Sequence, residues 1–367
     1  MRLRGSKQFV AVGGAVAVAL LAACSSSSSP SSAPAATGTS AAGGSTTSAA
    51  ALSGTLNGSG STFQLTYQQA SIQAFKSIQS GMTVNYNGVG SGTGRTDLAS
   101  NVVQFAGSDS PIPSKEEANF KGKTVLYFPI LLGPISVAYN LSGVSNLKLD
   151  ATVIANIFHG NIKTWNDPAI TALNPGVTLP STAITPAVRS DSSGTTQNFS
   201  LFLETAVPSV WTLGSSSTIK WPASARAGSG NGGVAQIIKS TPGAIGYVDY
   251  TDAKASGLSS ASVKNKDGNY VAPSSAGASA AASGVTVAPD LTFHAVWGTG
   301  AEAYPITYQS WVLVYQMQPN ANTASMLKAY IGYLVGDGQA TLEQLGYAPL
   351  PASLDSMAKA QLDKITS

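Results

Sequence analysis

The sequence predicts an α/β fold, and three features of this 367-residue chain indicate it. After residue 52, short apolar segments alternate with amphipathic ones, as in proteins whose strands and helices follow each other along the chain. Three stretches of glycine and hydroxyl residues stand between such strands and helices, at the edge where open α/β sheets bind ligands. With 43% hydrophobic residues, the chain can also bury the core of two domains.

The pattern predicts individual strands and helices. Strands are expected over residues 84–88, 103–107, 124–132 and 135–139. Helices are expected over 67–78, where apolar residues follow a three-four spacing, and near 96–101, 197–204, 322–335 and 352–365, with 339–346 separating the last two. The low-complexity stretch 272–283 is expected to be a surface loop.

The N-terminus has the features of a secretory signal followed by a lipidation site. Arg2, Arg4 and Lys7 precede an apolar run that is too short to span a bilayer comfortably. The run ends at Leu21-Ala-Ala-Cys24, which resembles the lipobox of bacterial lipoproteins. Residues 1–23 are therefore expected to be a signal peptide, and Cys24 the lipidated first residue of the mature chain. The alternative is an ordinary signal peptide in which Cys24 has no role.

A tether is expected over residues 24–52, because residues 25–51 are only Ser, Ala, Gly, Thr and Pro and offer nothing large to bury. As a flexible coil, it would hold the following domain about 30 Å from the lipid anchor. Cys24 is the only cysteine, so disulfide bonds are excluded.

The charge of the chain argues against a polyanionic partner. Three of the 20 basic residues lie in the predicted signal, and the 17 that remain balance the 17 acidic residues. The mature protein is therefore neutral and presents no basic face for nucleic acid. Only 10% of residues are charged, which is typical of an extracytoplasmic protein.

The three glycine-hydroxyl stretches have the chemistry of a site for a small tetrahedral anion. They are residues 57–63, 88–94 and 189–196. Glycine lets the backbone come close to a ligand, hydroxyls donate hydrogen bonds, and the first N–H groups of a helix lack internal partners at its positive end. A single stretch of this kind is more often a turn or a helix cap. Three of them at equivalent positions favour anion binding.

These stretches, with two further signatures, resemble the phosphate-binding subunit of the bacterial ABC-type phosphate importer. The further signatures are residues 157–170 and 242–250, and the resemblance extends from about residue 56 to the last helices. It implies a type II periplasmic-binding fold, in which two α/β lobes joined by two crossing strands close around phosphate. The crossings are expected near 129–132 and 304–306, which makes residues 53–131 plus 305–367 lobe I and residues 132–304 lobe II.

The resemblance also implies the ligand residues. By match to the family's motifs they are Thr62, Phe63, Ser91, Asp109, Arg189, Ser193, Gly194 and Thr195, with Asp191 bracing the arginine. Asp109 would accept the proton that phosphate carries near neutral pH and that sulfate lacks. The chain departs from the family pattern at residues 92–94, Gly-Thr-Gly in place of the common Ser-Gly-Gly, and at Ser192, where glycine is frequent. Neither departure removes a donor.

The protein is further expected to be a monomer on the extracytoplasmic face of the cell membrane, held there by lipid on Cys24. Inorganic phosphate and the importer's permease subunits would be its partners, without a cofactor, metal or nucleic acid. His159 and His294 have no cysteine or second histidine at ligand spacing, which argues against a metal site.

Three other functions stay open on the residues alone. They are a receptor for another oxyanion such as sulfate or molybdate, a secreted phosphatase or hydrolase of the same fold, and a lipid-anchored adhesin. Catalysis has little support, because the chain contains neither a Gly-x-Ser-x-Gly elbow nor a Gly-x-x-x-x-Gly-Lys-Ser/Thr loop.

Overall fold

The computed structural model describes residues 52–367. The predicted signal peptide, Cys24 and all but the last residue of the predicted tether therefore lie outside the described residues. Within residues 52–367, no helix has both the length and the apolar character needed to cross a membrane.

The described chain contains twelve strands. They are β1 (Gly54–Gly60), β2 (Met82–Gly88), β3 (Phe105–Ser108), β4 (Val125–Tyr139), β5 (Lys148–Leu149), β6 (Thr185–Arg189), β7 (Arg226–Gly228), β8 (Ala244–Asp249), β9 (Ser259–Ser260), β10 (Ser262–Lys264), β11 (Tyr270–Val271) and β12 (Thr307–Tyr315).

Twelve α-helices lie between or after these strands within residues 52–367. They are α1 (Leu65–Ile78), α2 (Ser91–Ala99), α3 (Ser114–Glu117), α4 (Ala151–His159), α5 (Pro168–Leu173), α6 (Gly194–Ala206), α7 (Gly230–Ser240), α8 (Tyr250–Ala255), α9 (Ser275–Ala282), α10 (Ala321–Leu334), α11 (Leu342–Leu345) and α12 (Ala352–Gln361).

Nine of the strands form one mixed sheet, in the order β2-β1-β3-β12-β4-β8-β6-β7, with β9 paired to β4. Strands β1, β2 and β3 are parallel to one another, as are β6, β7 and β8. Between these two parallel blocks, β12 and β4 run antiparallel to each other and to their outer neighbours. The predicted α/β class is confirmed, and each block presents its carboxyl ends to one edge.

Strand β4 is one continuous strand, where the sequence predicted two that end and begin around Gly133 and Pro134. Its first part, through Pro134, pairs with β12, and its last part, from Ile135, pairs with β8. Proline lacks an N–H donor, and here it stands where the strand leaves one partner for the other, so little pairing is lost. The strand is buried along almost its whole length.

Residues 272–283 were expected to be a surface loop, and this prediction is wrong. Helix α9 occupies most of the stretch, and Ser274 caps it by accepting a hydrogen bond from Gly277 N at 3.0 Å. Its small side chains pack closely under the sheet, with Ala278 fully buried and Ala281 nearly so. Alanine and glycine resemble a loop by composition, but alanine is the best helix former and is small enough to pack closely.

Two other boundaries differ from the prediction. The first glycine-hydroxyl stretch is half strand, because β1 runs on to Gly60 before the chain turns. The stretch 339–346, expected to separate two helices, is itself helical, with a 3₁₀ turn at Asp337–Thr341 that continues into α11. The predicted helices at 67–78, 322–335 and 352–365 correspond to α1, α10 and α12, each to within a few residues.

Candidate functional site

The predicted site residues lie at the carboxyl ends of parallel strands, on both sides of the central β12–β4 pair. Thr62 follows β1, Ser91 follows β2 and Asp109 follows β3. In the other block, Arg189 ends β6 and Gly194 begins α6. Ligands bind at this edge of open α/β sheets, and here two such edges meet.

Asp109 is buried and is held on three sides by serine and backbone groups. Ser91 Oγ lies 3.2 Å from Asp109 Oδ2 and also 3.2 Å from Asp109 N, which donates to it. Ser310, from the central strand β12, donates to Asp109 Oδ1. The residue is only 1% exposed, so these contacts are shielded from bulk solvent.

Burial raises the pKa of Asp109, because a low-dielectric environment disfavours the charged carboxylate. Hydrogen bonds from Ser310, Ser61 and Ser91 and the positive charge of Arg189 act in the opposite direction. The carboxyl group is thus a buried acid whose charge depends on a few identifiable donors.

Arg189 is the cation of the site, and Asp191 and Thr195 orient it. The Nε atom donates to Asp191 Oδ1 at 2.8 Å, and Nη2 donates to Asp191 Oδ2. The Nη1 atom points elsewhere, 3.3 Å from Thr195 Oγ1 and 3.3 Å from Asn231 Oδ1. Burial lowers the pKa of the guanidinium, but Asp191 more than compensates, so the group stays charged.

Asn231 joins the two halves of the site. Its Oδ1 atom accepts from Arg189, and its backbone and side-chain nitrogens donate to Thr62 Oγ1 at 3.4 and 3.2 Å. Asn231 is fully buried at the start of α7. The hydroxyl of Thr62 is therefore linked to the guanidinium of Arg189 through one amide.

Several backbone N–H groups at the site have no acceptor within the described part of the chain. They belong to Thr62, Ser91, Gly194 and Thr195. Ser91 begins α2 and Gly194 begins α6, so these donors are the unpaired first N–H groups of two helices. Such groups, together with the positive end of the helix dipole, bind anions.

The two blocks touch directly at Gly194. A Cβ atom on this glycine would lie 2.5 Å from Ser91 Oγ and 2.6 Å from the Cβ of Asp109. Asn198, one turn further along α6, donates to the backbone oxygen of Asp109 at 2.6 Å. The site residues of both blocks are therefore in contact.

The two departures from the family pattern face each other across the site. Gly92 N donates to the backbone oxygen of Ser192 at 3.0 Å, and the Ser192 side chain lies against the Cα of Gly92. Any side chain at residue 92 would collide with that serine. Gly90 has a positive φ of 92°, a conformation that favours glycine, and it lies against Asp191.

Two predicted donors already have local partners. Phe63 N donates to Ser61 Oγ at 3.1 Å, and Ser193 N donates to the backbone oxygen of Ser217 at 2.9 Å. The Ser193 hydroxyl caps α6 by accepting from Thr196 N at 3.1 Å. The Phe63 ring stacks on Tyr308, with centroids 3.9 Å apart. Both residues lie at the site, but these particular groups are engaged within the protein.

Sequence reasoning missed Asn231, Asn198 and Ser310. Asn231 had a signal, because residues 228–233 form a fourth glycine-hydroxyl stretch, Gly-Ser-Gly-Asn-Gly-Gly, between β7 and α7. Asn198 lies one turn beyond the third stretch, at the spacing that returns a side chain to the same helix face. Ser310 is more than 200 residues from Asp109 in the chain, and nothing in its neighbourhood indicates the contact.

The two histidines of the chain lie outside the site's hydrogen bonds. No group of three or more His, Cys, Asp or Glu residues suited to a metal ion occurs in residues 52–367. His159 accepts a hydrogen bond from Thr212 N at 3.3 Å and packs on Trp211. Neither His159 nor His294 contacts a predicted site residue through a hydrogen bond in this part of the chain.

Comparison with known proteins identifies the family. The model of the PBP superfamily domain matches residues 45–338. Phosphate-binding protein PstS 3 of Mycobacterium leprae is 36% identical over 314 residues, which cover 82% of this chain and 84% of the relative. Phosphate-binding protein PstS 2 of Mycobacterium tuberculosis is 34% identical over 325 residues, which cover 85% and 87%.

Solved structures show the same fold. A high-affinity periplasmic phosphate-binding protein, PfluDING, bound with phosphate, superposes with a TM-score of 0.70 at 23% identity, covering 84% of this chain and 94% of that one. The phosphate-binding protein from Stenotrophomonas maltophilia superposes with a TM-score of 0.68 at 18% identity, with the same coverage. The predicted periplasmic-binding fold is confirmed. The chain belongs to the PBP superfamily and, within it, to the PstS family of phosphate-binding proteins.

Proposed function

We propose that this protein binds inorganic phosphate outside the cytoplasm and delivers it to the permease subunits of an ABC-type phosphate importer. Membership of the PstS family supports the ligand and the importer. The observation that carries the proposal is the meeting of one buried carboxylate, one buried guanidinium and several unpaired N–H groups at two facing strand edges.

The ligand residues in this proposal are the eight predicted ones, with Asp191 as the brace. They are Thr62, Phe63, Ser91, Asp109, Arg189, Ser193, Gly194 and Thr195. Phe63 N would exchange its bond to Ser61 Oγ for one to the anion. Arg189 supplies charge and a planar fork for two oxygens, and the helix N–H groups satisfy the remaining ones. We add Asn231 to the set, because its amide contacts both Arg189 and Thr62.

Asp109 supplies selectivity in this proposal. Phosphate keeps at least one proton near neutral pH and can donate it to a carboxylate, whereas sulfate has none to donate. A sulfate oxygen facing the buried carboxylate would leave both charges desolvated and unpaired. Sites built around such a bond reject the analogue that lacks it by roughly 10⁴- to 10⁵-fold.

Delivery depends on closure of two lobes, which we place at residues 53–131 plus 305–367 and at 132–304. The change of partner within β4 at Gly133 and Pro134 supports this division. Because the ligand residues come from both lobes, phosphate stabilises the closed form through contacts that no open form allows. The permease then distinguishes loaded from unloaded protein by shape.

Calorimetric titration with phosphate and with sulfate tests the function. We expect the wild-type protein to bind phosphate and reject sulfate. In Asp109→Asn the phosphate-to-sulfate affinity ratio should fall by a larger factor than the affinity for phosphate itself. The reason is that an amide can donate a hydrogen bond as well as accept one. In Arg189→Ala both anions should bind more weakly. A wild-type protein that prefers sulfate, or binds neither anion, would refute the proposal.

We propose binding without catalysis. No histidine hydrogen-bonds a site residue in the described part of the chain, and Asp109, the carboxylate that Ser91 contacts, is assigned to the ligand in this proposal. An assay with p-nitrophenyl phosphate is expected to show no turnover above a Ser91→Ala control. Turnover that this substitution or Asp109→Asn abolishes would establish a phosphatase.

We further propose that the protein is a monomer anchored by lipid on Cys24 at the extracytoplasmic face of the cell membrane. The lipobox-like Leu21-Ala-Ala-Cys24 and the tether that follows it support the anchor. Labelled palmitate should be incorporated into the wild-type protein and not into Cys24→Ser, which should leave the membrane fraction. Equal labelling of both proteins would contradict lipidation at this cysteine. Light scattering of the mature domain should give the mass of one chain.

A further inference from the structure

A line of buried side chains connects helix α10 to the carboxylate of Asp109. The Tyr330 hydroxyl donates to Gln68 Oε1 at 2.6 Å, and Gln68 Nε2 donates to Gln64 Oε1 at 3.0 Å. Gln64 Nε2 donates to Ser310 Oγ at 2.7 Å, and Ser310 donates to Asp109 Oδ1. None of the five side chains is more than 1% exposed.

The chemistry of the partners fixes the direction of every bond in this line. The backbone oxygen of Trp311 lies 2.7 Å from Gln64 Nε2 and can only accept, so the amide nitrogen of Gln64 must be on that side. One amide hydrogen serves Trp311 and the other serves Ser310. Ser310 Oγ therefore accepts from Gln64, and its single hydrogen remains to be donated.

Asp109 receives that hydrogen. The only other acceptor recorded for Ser310 Oγ within the described chain is the backbone oxygen of Ser108, at 3.5 Å, the outer limit of a hydrogen bond. The contact with Asp109 Oδ1 is far shorter and leads to an acidic oxygen. Asp109 Oδ1 is therefore the one well-placed acceptor for the Ser310 hydrogen, and Ser310 donates to it.

We infer that Ser310 is a specificity-determining positioning residue. Through the line Tyr330-Gln68-Gln64-Ser310, here called the Ser310 relay, the fold directs a donor at Asp109 Oδ1, which favours the charged, accepting form of the carboxylate and thereby a ligand that donates a proton. With Oδ1 occupied by Ser310, the lone pairs of Oδ2, on the side of Ser91, remain for the ligand. This inference rests on the proposed role of Asp109 in phosphate binding.

The relay matters because burial and hydrogen bonding shift the pKa of Asp109 in opposite directions. Burial raises the pKa of Asp109, and the hydrogen bond from Ser310 is first among the contacts that lower it. Without that donor, the carboxyl takes up a proton at a higher pH. A protonated Asp109 is itself a hydrogen-bond donor, and the site could then bind a fully deprotonated anion such as sulfate.

The other titratable groups that act on Asp109 are Arg189, Tyr86 and Tyr308. Burial raises the pKa of both tyrosines well above its usual range, so both stay neutral at every pH of interest. Arg189 stays charged. Phosphate itself loses a proton between about pH 5 and 8, and burial also raises the pKa of Asp249, which lies beyond Tyr308. Selectivity in a relay variant is therefore compared with that of the wild-type protein at each pH, and the difference between the two reports the carboxyl of Asp109.

The fold places the relay with two local devices. Opposite Ser310 and Trp311, strand β4 contains a register shift that skips Ile130, and such bulges re-aim side chains beside functional sites. Gly107, on β3, leaves room for the relay, since a Cβ atom there would lie 2.8 Å from Gln64 Oε1.

The test compares Ser310→Ala with Ser310→Thr and with the control Thr307→Val. Thr307 is also a buried hydroxyl on β12, but it donates to the backbone oxygen of Tyr304 and has no contact with Asp109. Phosphate and sulfate affinities are measured by calorimetry between pH 5 and 8, together with the melting temperature of each variant.

In Ser310→Ala we expect the preference for phosphate over sulfate to fall by roughly 10- to 100-fold, the value of one hydrogen bond to a charged group. The fall should come mainly from tighter sulfate binding, and it should grow as the pH is lowered. Ser310→Thr keeps the hydroxyl and should keep the wild-type ratio, as should Thr307→Val. An unchanged ratio in Ser310→Ala, or an equal loss in Thr307→Val, would overturn the inference.

The experiment distinguishes failure of the relay inference from failure of the proposed function. A wild-type protein without phosphate binding refutes the function, whereas a selective wild type with an unaltered Ser310→Ala refutes only the relay. If Ser310→Ala fails to fold, neutron diffraction of the deuterated wild-type protein with phosphate tests the inference, because it locates the hydrogen between Ser310 and Asp109. Deuterium on Ser310 Oγ directed at Asp109 Oδ1 is expected. Deuterium on the carboxyl of Asp109, or directed from Ser310 to Ser108, would overturn it.

Discussion

Asp191 and Arg189 stand two residues apart and form a two-point ion pair, with Nε donating to Oδ1 at 2.8 Å and Nη2 to Oδ2. Asp191 Oδ1 also accepts from Gly230 N at 3.0 Å, which ties the pair to the start of α7. One side of the guanidinium fork is thus used to hold its orientation. The Nη1 atom faces Thr195 and Asn231, where the proposed anion site lies.

Replacing Asp191 with asparagine should weaken phosphate and sulfate binding together. Asparagine keeps the size of the side chain but loses the charge and one of the two acceptors, so the guanidinium is less firmly oriented. We expect a loss of roughly 10-fold or more for each anion, in line with the 1.5–3 kcal/mol of a charged hydrogen bond. Calorimetric titration of both anions measures it, and the phosphate-to-sulfate ratio should stay at the wild-type value.

The matched control is Asp355→Asn. Asp355 pairs with Lys359 at 2.7 Å on the surface of α12, away from the site, and such exposed pairs contribute little. Both anion affinities should be unchanged in this variant. A selective loss of one anion in Asp191→Asn would show that Asp191 does more than hold the arginine.

The same pair predicts a pH dependence of stability. Burial raises the pKa of Asp191, but the hydrogen bonds and charge of Arg189 outweigh it, and the net pKa is lowered. A carboxyl whose pKa is lower in the folded state contributes stability above its unfolded pKa, about 3.9, and loses it as the pH falls through the folded pKa.

Urea unfolding of ligand-free wild type and Asp191→Asn between pH 7 and pH 2 measures this effect. The difference in free energy of unfolding between the two proteins should be constant near neutral pH and shrink below about pH 4, the unfolded value for aspartate. A difference that persists undiminished to the lowest pH would mean that the charge of Asp191 does not stabilise the fold.

Gly194 offers a test of closure. It begins helix α6 outside the left-handed region, so alanine suits its backbone, yet an added Cβ would lie 2.5 Å from Ser91 Oγ. Gly194→Ala should therefore weaken phosphate binding by roughly 10- to 100-fold, because overpacking costs about 1–3 kcal/mol. The melting temperature of the ligand-free protein should change little, since the open form that we propose for the unloaded protein would avoid the contact.

Gly232→Ala is the control for this substitution. Gly232 lies in helix α7, and no other atom would come within 4 Å of its Cβ. Phosphate affinity should match the wild type, with any change in melting temperature in the direction of greater stability. Wild-type phosphate affinity in Gly194→Ala would mean that these two loops do not approach each other in the loaded protein.

How much of the site could be predicted depends on how local its contacts are. Arg189, Asp191 and Thr195 lie within seven residues, and their order in the chain already carries the motif that places the guanidinium. The contact between Asp109 and Ser310 exists only because β3 and β12 are neighbours in the sheet. Pairing of distant strands is set by the whole core, so no local pattern predicts it.

The same distinction explains the errors in the fold. Strand β4 was divided at Gly133 and Pro134 because both residues interrupt strands, and only the exchange of β12 for β8 shows why they are tolerated there. Helix α9 was missed because its low-complexity composition resembles that of a loop, whereas the stretch packs against Tyr304 and the neighbouring strands, which the local sequence does not indicate.

The N-cap of α9 provides a last test, of stability rather than binding. Ser274 Oγ accepts from Gly277 N at 3.0 Å, which satisfies one of the four N–H groups that a helix leaves unpaired at its start. Ser274→Ala should lower the free energy of unfolding by about 1 kcal/mol, the usual cost of losing such a cap. Urea unfolding measures it, with the exposed Ser279→Ala as control, expected within about 0.5 kcal/mol of wild type. Equal stability of the two variants would show that burial of the alanine face, without the cap, is sufficient to hold this helix.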